Sequence, residues 1–331
     1  MHTDTAADVD RGDHPDARTP WEDPGWRAEV RDWIARGLTA HGLRAPGPWR
    51  VRLRPWSVLV SVPVEGAAPV WFKANPPASA FESPLGEALA RWVPEHVLTP
   101  LAVDPARGWT LLPDGGETLG TLIERGEAGQ GDWEAYLRQY AHLQRALLPH
   151  ARAMEELGVP GARTADLPEL FDRVLAGARA LSAEDRRALE GLRPRLVEWS
   201  GELAAIGIGD CLDHSDLHPG QLFRPEPGRY TFFDWGDAAV SHPFMSLLVP
   251  VRFAVEVYGE GARERLRDAY LEPWTDTGAT AAGLRRAADL ACRLGALGRA
   301  VSWGRLFPGA DTTAGDEATA NWLRQLLREP S

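Results

Sequence analysis

The sequence predicts an α+β fold in two lobes: a small antiparallel β lobe with one main helix, then a larger helical lobe carrying a β-hairpin insertion. Three observations predict it. The run over residues 49–74 reads as strands, alternating in WRVRLR and β-branched in SVLVSVPV, apolar residues recur at helical spacing from residue 133 onward, and the pattern turns extended once more near residues 212–234. With 331 residues, 44% of them hydrophobic and 14 of them tryptophan, the chain has material for a core in each lobe.

The elements follow in order. Residues 1–20 are polar and rich in Asp, with Pro and Gly among them, and a disordered tail is expected there. Trp26, Val30, Trp33, Ile34 and Leu38 lie at helical spacing and predict a first amphipathic helix. WRVRLR alternates, SVLVSVPV is a β-branched run, and VWFKA closes an antiparallel meander at Lys73. FESPLGEALARWV reads as a helix with Leu85, Leu89 and Trp92 on one face. EHVLTPLAVD and GWTLLPD follow as two strands about a turn at Pro105 to Gly108. The seam lies near Leu112 to Gly116, which sets domains at 21–114 and 115–331. Beyond it, Trp133 to Leu148, Pro168 to Leu181, Glu184 to Ile206, Ala281 to Val301 and Ala318 to Leu327 repeat with helical period. QLFRPEPGRYTFF (221–233) reads as a hairpin about Pro225 to Gly228. If Arg224 pairs with Arg229, Gln221 lies opposite Phe232 and Asp234 returns to the Pro219–Gly220 turn.

Composition removes several functions. A net charge of −11 and the lack of any basic run argue against a nucleic-acid partner. Cys211 and Cys292, the only cysteines, have no metal spacing and imply no disulfide framework. No charged-then-apolar leader opens the chain and no apolar run reaches membrane-spanning length, so a cytoplasmic protein without a membrane partner is expected, a monomer by default.

Two features carry chemistry. Of the 36 basic residues only Lys73 is a lysine, and it sits in the apolar strand APVWFKA. A compact ammonium on a flexible stem does what a planar guanidinium cannot, which favours a function for that position over a leftover surface charge. The stretch LDHSDLHPGQLF crowds two histidines and two aspartates into residues 213–218. Solvated turn residues are the default for any one of them. The hairpin, however, converges Asp216, Gln221 and Asp234, and two hard oxygen donors beside a carboxylate suit Mg²⁺.

HSDLHPGQ followed by FFDWGD resembles the catalytic and metal-binding segments of the aminoglycoside phosphotransferase and choline-kinase-like small-molecule kinases, which have a protein-kinase-like fold. The resemblance covers residues 50–244 and implies an ATP- and Mg²⁺-dependent phosphotransferase acting on a small-molecule hydroxyl. By that resemblance Asp216 orients or accepts the hydroxyl proton and His214 braces the loop. Gln221 and Asp234 hold Mg²⁺, and Lys73 cradles the ATP phosphates with Glu82 fixing it and Glu87 as second candidate. The hinge from Leu112 to Asp114 offers backbone groups to adenine, and Ser57 contacts phosphate. The sequence departs from the family in three places. Gln221 stands where the family has Asn, RPWSVLV lacks glycines, and SHPFMSL leaves Ser246 without a buttressing carboxylate. Asp132, Glu134, Glu155 and Glu156 lean toward a cationic acceptor such as an aminoglycoside or amino sugar. Two other functions compete: a nucleotide-binding pseudokinase, motivated by Gln221 and the glycine-free turn, and a metallohydrolase in which His214, Asp216, His218 and Asp234 gather Zn²⁺ or a metal pair.

Overall fold

A computed structural model describes residues 8–328 and divides the chain into two compact units. The first runs through Gly115 and also takes in Arg305–Thr312, a return that no local pattern announces; the second holds Gly116–Gly304 and the chain from Thr313 onward.

The first unit is built on a six-stranded sheet. Its strands are β1 (Asp8–Asp10), β2 (Arg50–Arg54), β3 (Ser57–Val64), β4 (Ala67–Ala74), β5 (Ala102–Asp104) and β6 (Trp109–Pro113), in the order β1-β2-β3-β4-β6-β5. All neighbours are antiparallel except β1 and β2. The β-branched run forms β3, where Val58, Val60 and Val62 are fully buried, each burial stabilising by roughly 1.5–3 kcal/mol. Helix α1 (Pro24–Ala40), capped by the Asp23 carboxylate on Gly25 N, lays Val30, Ile34 and Leu38 into that core. Trp26, Trp33, Phe72 and Trp109 interlock edge to face, with centroids 5.7–6.4 Å apart. Phe307, from the returning segment, joins the same core. Helix α2 (Glu82–Trp92) follows β4.

Residues 8–20 depart from the disordered tail expected of them, while residues 1–7 lie outside the described ones. Asp8–Asp10 pairs with Arg50–Arg52, and Asp10 meets Arg54 at 3.1 Å. A strand of sequence DVD has no apolar signature, because its ladder is made by backbone alone.

The second unit is helical. It comprises α3 (Leu119–Glu124), α4 (Gln130–Leu147), α5 (Ala151–Glu156), α6 (Leu167–Gly177), α7 (Ala183–Ala204), α8 (Leu248–Tyr258), α9 (Gly261–Leu271), α10 (Ala281–Ser302) and α11 (Thr313–Gln325). Among these run two small antiparallel pairs: β7 (Cys211–Asp213) with β10 (Ala239–Ser241), and the hairpin β8 (Leu222–Glu226) with β9 (Arg229–Phe232). Gln144, fully buried on α4, ties the unit's centre together. Its Nε2 lies 2.7 Å from Leu212 O and 3.0 Å from Pro243 O.

Candidate active site

In the first unit the lone lysine is held as the sequence suggested. Lys73 Nζ lies 2.7 Å from Glu82 Oε2 and 2.8 Å from Oε1, and Asn75 Nδ2 donates to Oε2 at 2.8 Å. Both side chains of the ion pair are 10% exposed, so the pair is largely withdrawn from water. Glu87 is instead paired with Arg91 at 3.2 Å on the helix surface, which decides between the two glutamates in favour of Glu82. Asp114 accepts from Trp71 Nε1 at 2.8 Å, and Leu112 sits in register with Trp71. Ser57 opens β3 opposite Arg54 and is buried; only the two residues Pro55 and Trp56 form the turn before it.

In the second unit the loop from Asp213 to Gln221 is shaped by two buried polar residues. Asp213, open to a solvated-turn reading in the sequence, is 2% exposed. Its Oδ1 accepts from Ser215 N at 2.9 Å and Ser246 Oγ at 2.6 Å, and Oδ2 accepts from Ser215 Oγ at 2.9 Å. Burial pushes this carboxyl above its ordinary range, and those donors pull the other way. Ser246 Oγ also accepts from His214 N at 3.2 Å. The buttressing carboxylate missing at position 246 is thus present at Asp213, with Ser246 as its donor.

His214 Nε2 lies 2.9 Å from Phe233 O, and since a carbonyl only accepts, that nitrogen carries the hydrogen. The bond joins the loop to the residue before Asp234. His218 Nδ1 accepts from Gly220 N at 3.1 Å, which puts the hydrogen of the neutral ring on Nε2, 3.8 Å from Asp216 Oδ2. Burial lowers the His218 pKa and favours that neutral form. Binding Zn²⁺ through Nδ1 of His218 would cost its contact with Gly220 N, whereas His214 Nδ1 has no hydrogen-bond partner. Among the described residues no three His, Cys, Asp or Glu side chains are grouped to hold a metal ion.

The hairpin corrects the expected register by one residue. Leu222 pairs with Phe232 and Phe223 with Thr231. The two-residue turn Pro227–Gly228, with Gly228 at φ 81° and Glu226 paired with Arg229, shifts the register by two, and an irregularity between Phe223 and Glu226 takes one back. Gln221 consequently faces Phe233, whose N–H donates to Gln221 O at 3.1 Å. Asp234 is the next residue. It has φ 64°, and Ser215, beside Asp216, has φ 62°; these are the two non-glycine residues with positive φ among those described. Such backbone costs of order 1–3 kcal/mol and persists where surrounding bonds enforce it, here the Asp213 and His214 contacts. An amide and a carboxylate, both half-buried, supply hard oxygen donors that fit Mg²⁺.

One residue of this site has no counterpart in the sequence reading. Arg299, on α10, reaches Asp216 Oδ1 with NH2 at 3.0 Å and Asp237 Oδ2 with NH1 at 2.8 Å, and its side chain is 8% exposed. Burial raises the Asp216 carboxyl above its ordinary range; Arg299 opposes that shift and Asp237 adds to it. In sequence, an arginine at helical spacing in RLGALGRAVS reads as solvent-facing. Only the packing of α10 shows otherwise.

Solved structures with similar coordinates are small-molecule kinases. A choline/ethanolamine kinase family protein from Mesorhizobium loti has a TM-score of 0.59 at 15% identity, covering 92% of this chain and 95% of its own. A macrolide 2′-phosphotransferase from Brachybacterium faecium has a TM-score of 0.54 at 19% identity, covering 89% and 98%. An aminoglycoside 2″-phosphotransferase in complex with GDP and kanamycin has a TM-score of 0.53 at 15% identity, covering 89% and 97%. The chain has the fold of the aminoglycoside phosphotransferase and choline-kinase-like kinases. No family model and no curated protein matches the sequence itself. The likeness to this kinase fold covers nearly the whole chain, more than the 50–244 span over which the motifs resemble the family.

Proposed function

We propose that the protein is a phosphotransferase that moves the γ-phosphate of ATP to the hydroxyl of a small molecule. The observation that carries this reading is Asp216. It is a partly shielded carboxylate with Oδ1 engaged by Arg299 and Oδ2 facing His218, in a loop whose following hairpin brings back Asp234. The acceptor oxygen forms a bond to the γ-phosphorus, the bond from that phosphorus to the β,γ-bridging oxygen breaks, and the hydroxyl proton passes to Asp216. Lys73, fixed by Glu82, holds nucleotide phosphates, and Leu112 to Asp114 meets the base. Gln221 and Asp234 would hold Mg²⁺, which would supply neutralisation of the phosphate charge. His214 fixes the backbone on which Asp216 and Asp234 stand. Ser57, being buried, contributes backbone rather than its hydroxyl.

The acceptor reading changes with the structure. Asp132, Glu134, Glu155 and Glu156 each meet an arginine: Arg224 at 2.8 Å, Arg265 at 2.6 Å, Arg163 at 2.6 Å and Arg152 at 3.0 Å. These pairings remove the basis for a preference for polycations. Beside Asp216, the His218 ring stacks on Phe253, with centroids 5.4 Å apart and Phe253 41% exposed. An alcohol with an apolar face suits that surface better than an aminoglycoside.

The test is an ADP- and GDP-release screen, with ATP and GTP as donors, over macrolides, aminoglycosides, amino sugars, choline-like alcohols and nucleosides. Acceptor-dependent release supports the reading. Nucleotide binding without turnover on any acceptor would favour the pseudokinase, which the short turn before Ser57 and the glutamine at 221 keep as the second reading.

A further inference from the structure

We propose that Arg299 is the positioning residue for Asp216, fixing Oδ1 so that Oδ2 alone receives the acceptor hydroxyl. This rests on the phosphotransferase reading and extends it to a residue on a helix outside the recognised motifs.

The geometry is specific. Arg299 spans two carboxylates with the two ends of one planar guanidinium: NH2 to Asp216 Oδ1 at 3.0 Å and NH1 to Asp237 Oδ2 at 2.8 Å. NH1 also reaches Ser302 Oγ at 3.4 Å, and the Trp303 and Trp322 rings flank Cζ at 6.0 and 5.7 Å. A guanidinium so enclosed has little freedom to follow Asp216; the carboxylate must conform to it. Helix α10 passes close to the loop at Gly298, the residue before Arg299. A Cβ there would stand 3.8 Å from Ser215 Oγ and 3.9 Å from Asp213 Oδ2, so any longer side chain would meet the loop. With Oδ1 occupied, Oδ2 is the remaining acceptor, and the side chain keeps 24% exposure through which a hydroxyl can approach. Four charged or titratable groups face Asp216: Arg299 from α10, Asp237 from the turn after Asp234, and His214 and His218 from its own loop. Arg299 is the permanent cation among them. It favours the ionised carboxylate that accepts the proton, against burial and against Asp237.

The experiment compares Arg299→Gln, Arg299→Lys and Asp237→Asn, alone and on an Asp216→Asn background. In Arg299→Gln, kcat is expected to fall about 100-fold, the scale of a misplaced catalytic group, with nucleotide KM little changed. The acid limb of the kcat profile moves to higher pH, since the carboxylate loses its cation. Arg299→Lys keeps the limb near wild type and recovers part of kcat. Asp237→Asn moves the limb to lower pH, because a like charge is gone. On the Asp216→Asn background, Arg299→Gln costs little more, as groups acting as a unit do. A folded Arg299→Gln enzyme with wild-type kcat and an unmoved limb would overturn the proposal, as would full additivity with Asp216→Asn. Where Arg299→Gln fails to fold, the Lys and Asp237→Asn variants decide, and an acid limb unmoved in Asp237→Asn overturns it. Carboxyl ¹³C titration of Asp216 in the substrate-free protein separates two failures. If that titration ignores Arg299→Gln, the pairing is wrong. If it responds but the wild type transfers no phosphate, the reaction is misread and the pairing stands.

Discussion

Asp213 and Ser246 show how a departure from a motif can be repaired by a neighbour. Ser246 Oγ donates to Asp213 Oδ1 and accepts from His214 N, so removing it leaves a buried acceptor and a buried N–H each short of one bond. Ser246→Ala is expected to cost about 1–3 kcal/mol in urea unfolding. Asp213 also gives stability a pH dependence. Its folded pKa is raised by burial, so its contribution is greatest below the unfolded value near 3.8 and declines as pH rises through the folded value. Asp213→Asn removes that decline, and its stability relative to wild type should improve between pH 4 and pH 7. An unchanged difference across that range would contradict the assignment. The motif itself pointed to Asp216, Asp234 and Gln221. It did not point to Asp213 or Arg299, because a buried carboxylate in a short polar loop and a buried arginine on a helix have the same local sequence as solvated ones.

Among the elements, those long enough to repeat an apolar face were legible and the three-residue strands β1, β7 and β10 were not, the first exposed and the other two buried. The meander from β2 to β4 alternates because its core-facing side is apolar, and α1 and α10 repeat because one stripe faces inward. β1, β7 and β10 are three-residue ladders whose partners lie far away in sequence, so no period marks them. The hairpin was legible as a hairpin but not in register, since PEPG admits both a four-residue and a two-residue turn. Gly228 decides it by taking φ 81°. Gly228→Ala should cost about 1–2 kcal/mol through that angle alone, read by chemical denaturation. On β4 and α2, Lys73→Met leaves Glu82 buried beside Asn75 without its cation. Nucleotide affinity, measured with a fluorescent ATP analogue, is expected to drop at least about tenfold, equivalent to one charged contact of about 1.4 kcal/mol. Undiminished affinity in a folded variant would detach Lys73 from the nucleotide.

At the scale of the whole chain, the division into two compact units is not a single cut. Arg305–Thr312 belongs with the first unit, and Phe307 N donates to Pro55 O at 2.8 Å. A segment that returns after a long helix carries its signal only in the packing it joins. The acidic residues singled out for a cationic acceptor are each paired with an arginine. The proposed function places acid–base chemistry at one carboxylate, and one measurement addresses it. Wild type and Asp216→Asn are each incubated with ATP, Mg²⁺ and the best acceptor from the screen, and phosphoester product is followed by ³¹P NMR. A phosphotransferase that uses Asp216 forms the phosphoester in wild type and loses at least about 100-fold of that rate in Asp216→Asn, with nucleotide still bound. Product formed at an undiminished rate by the folded Asp216→Asn protein would contradict it.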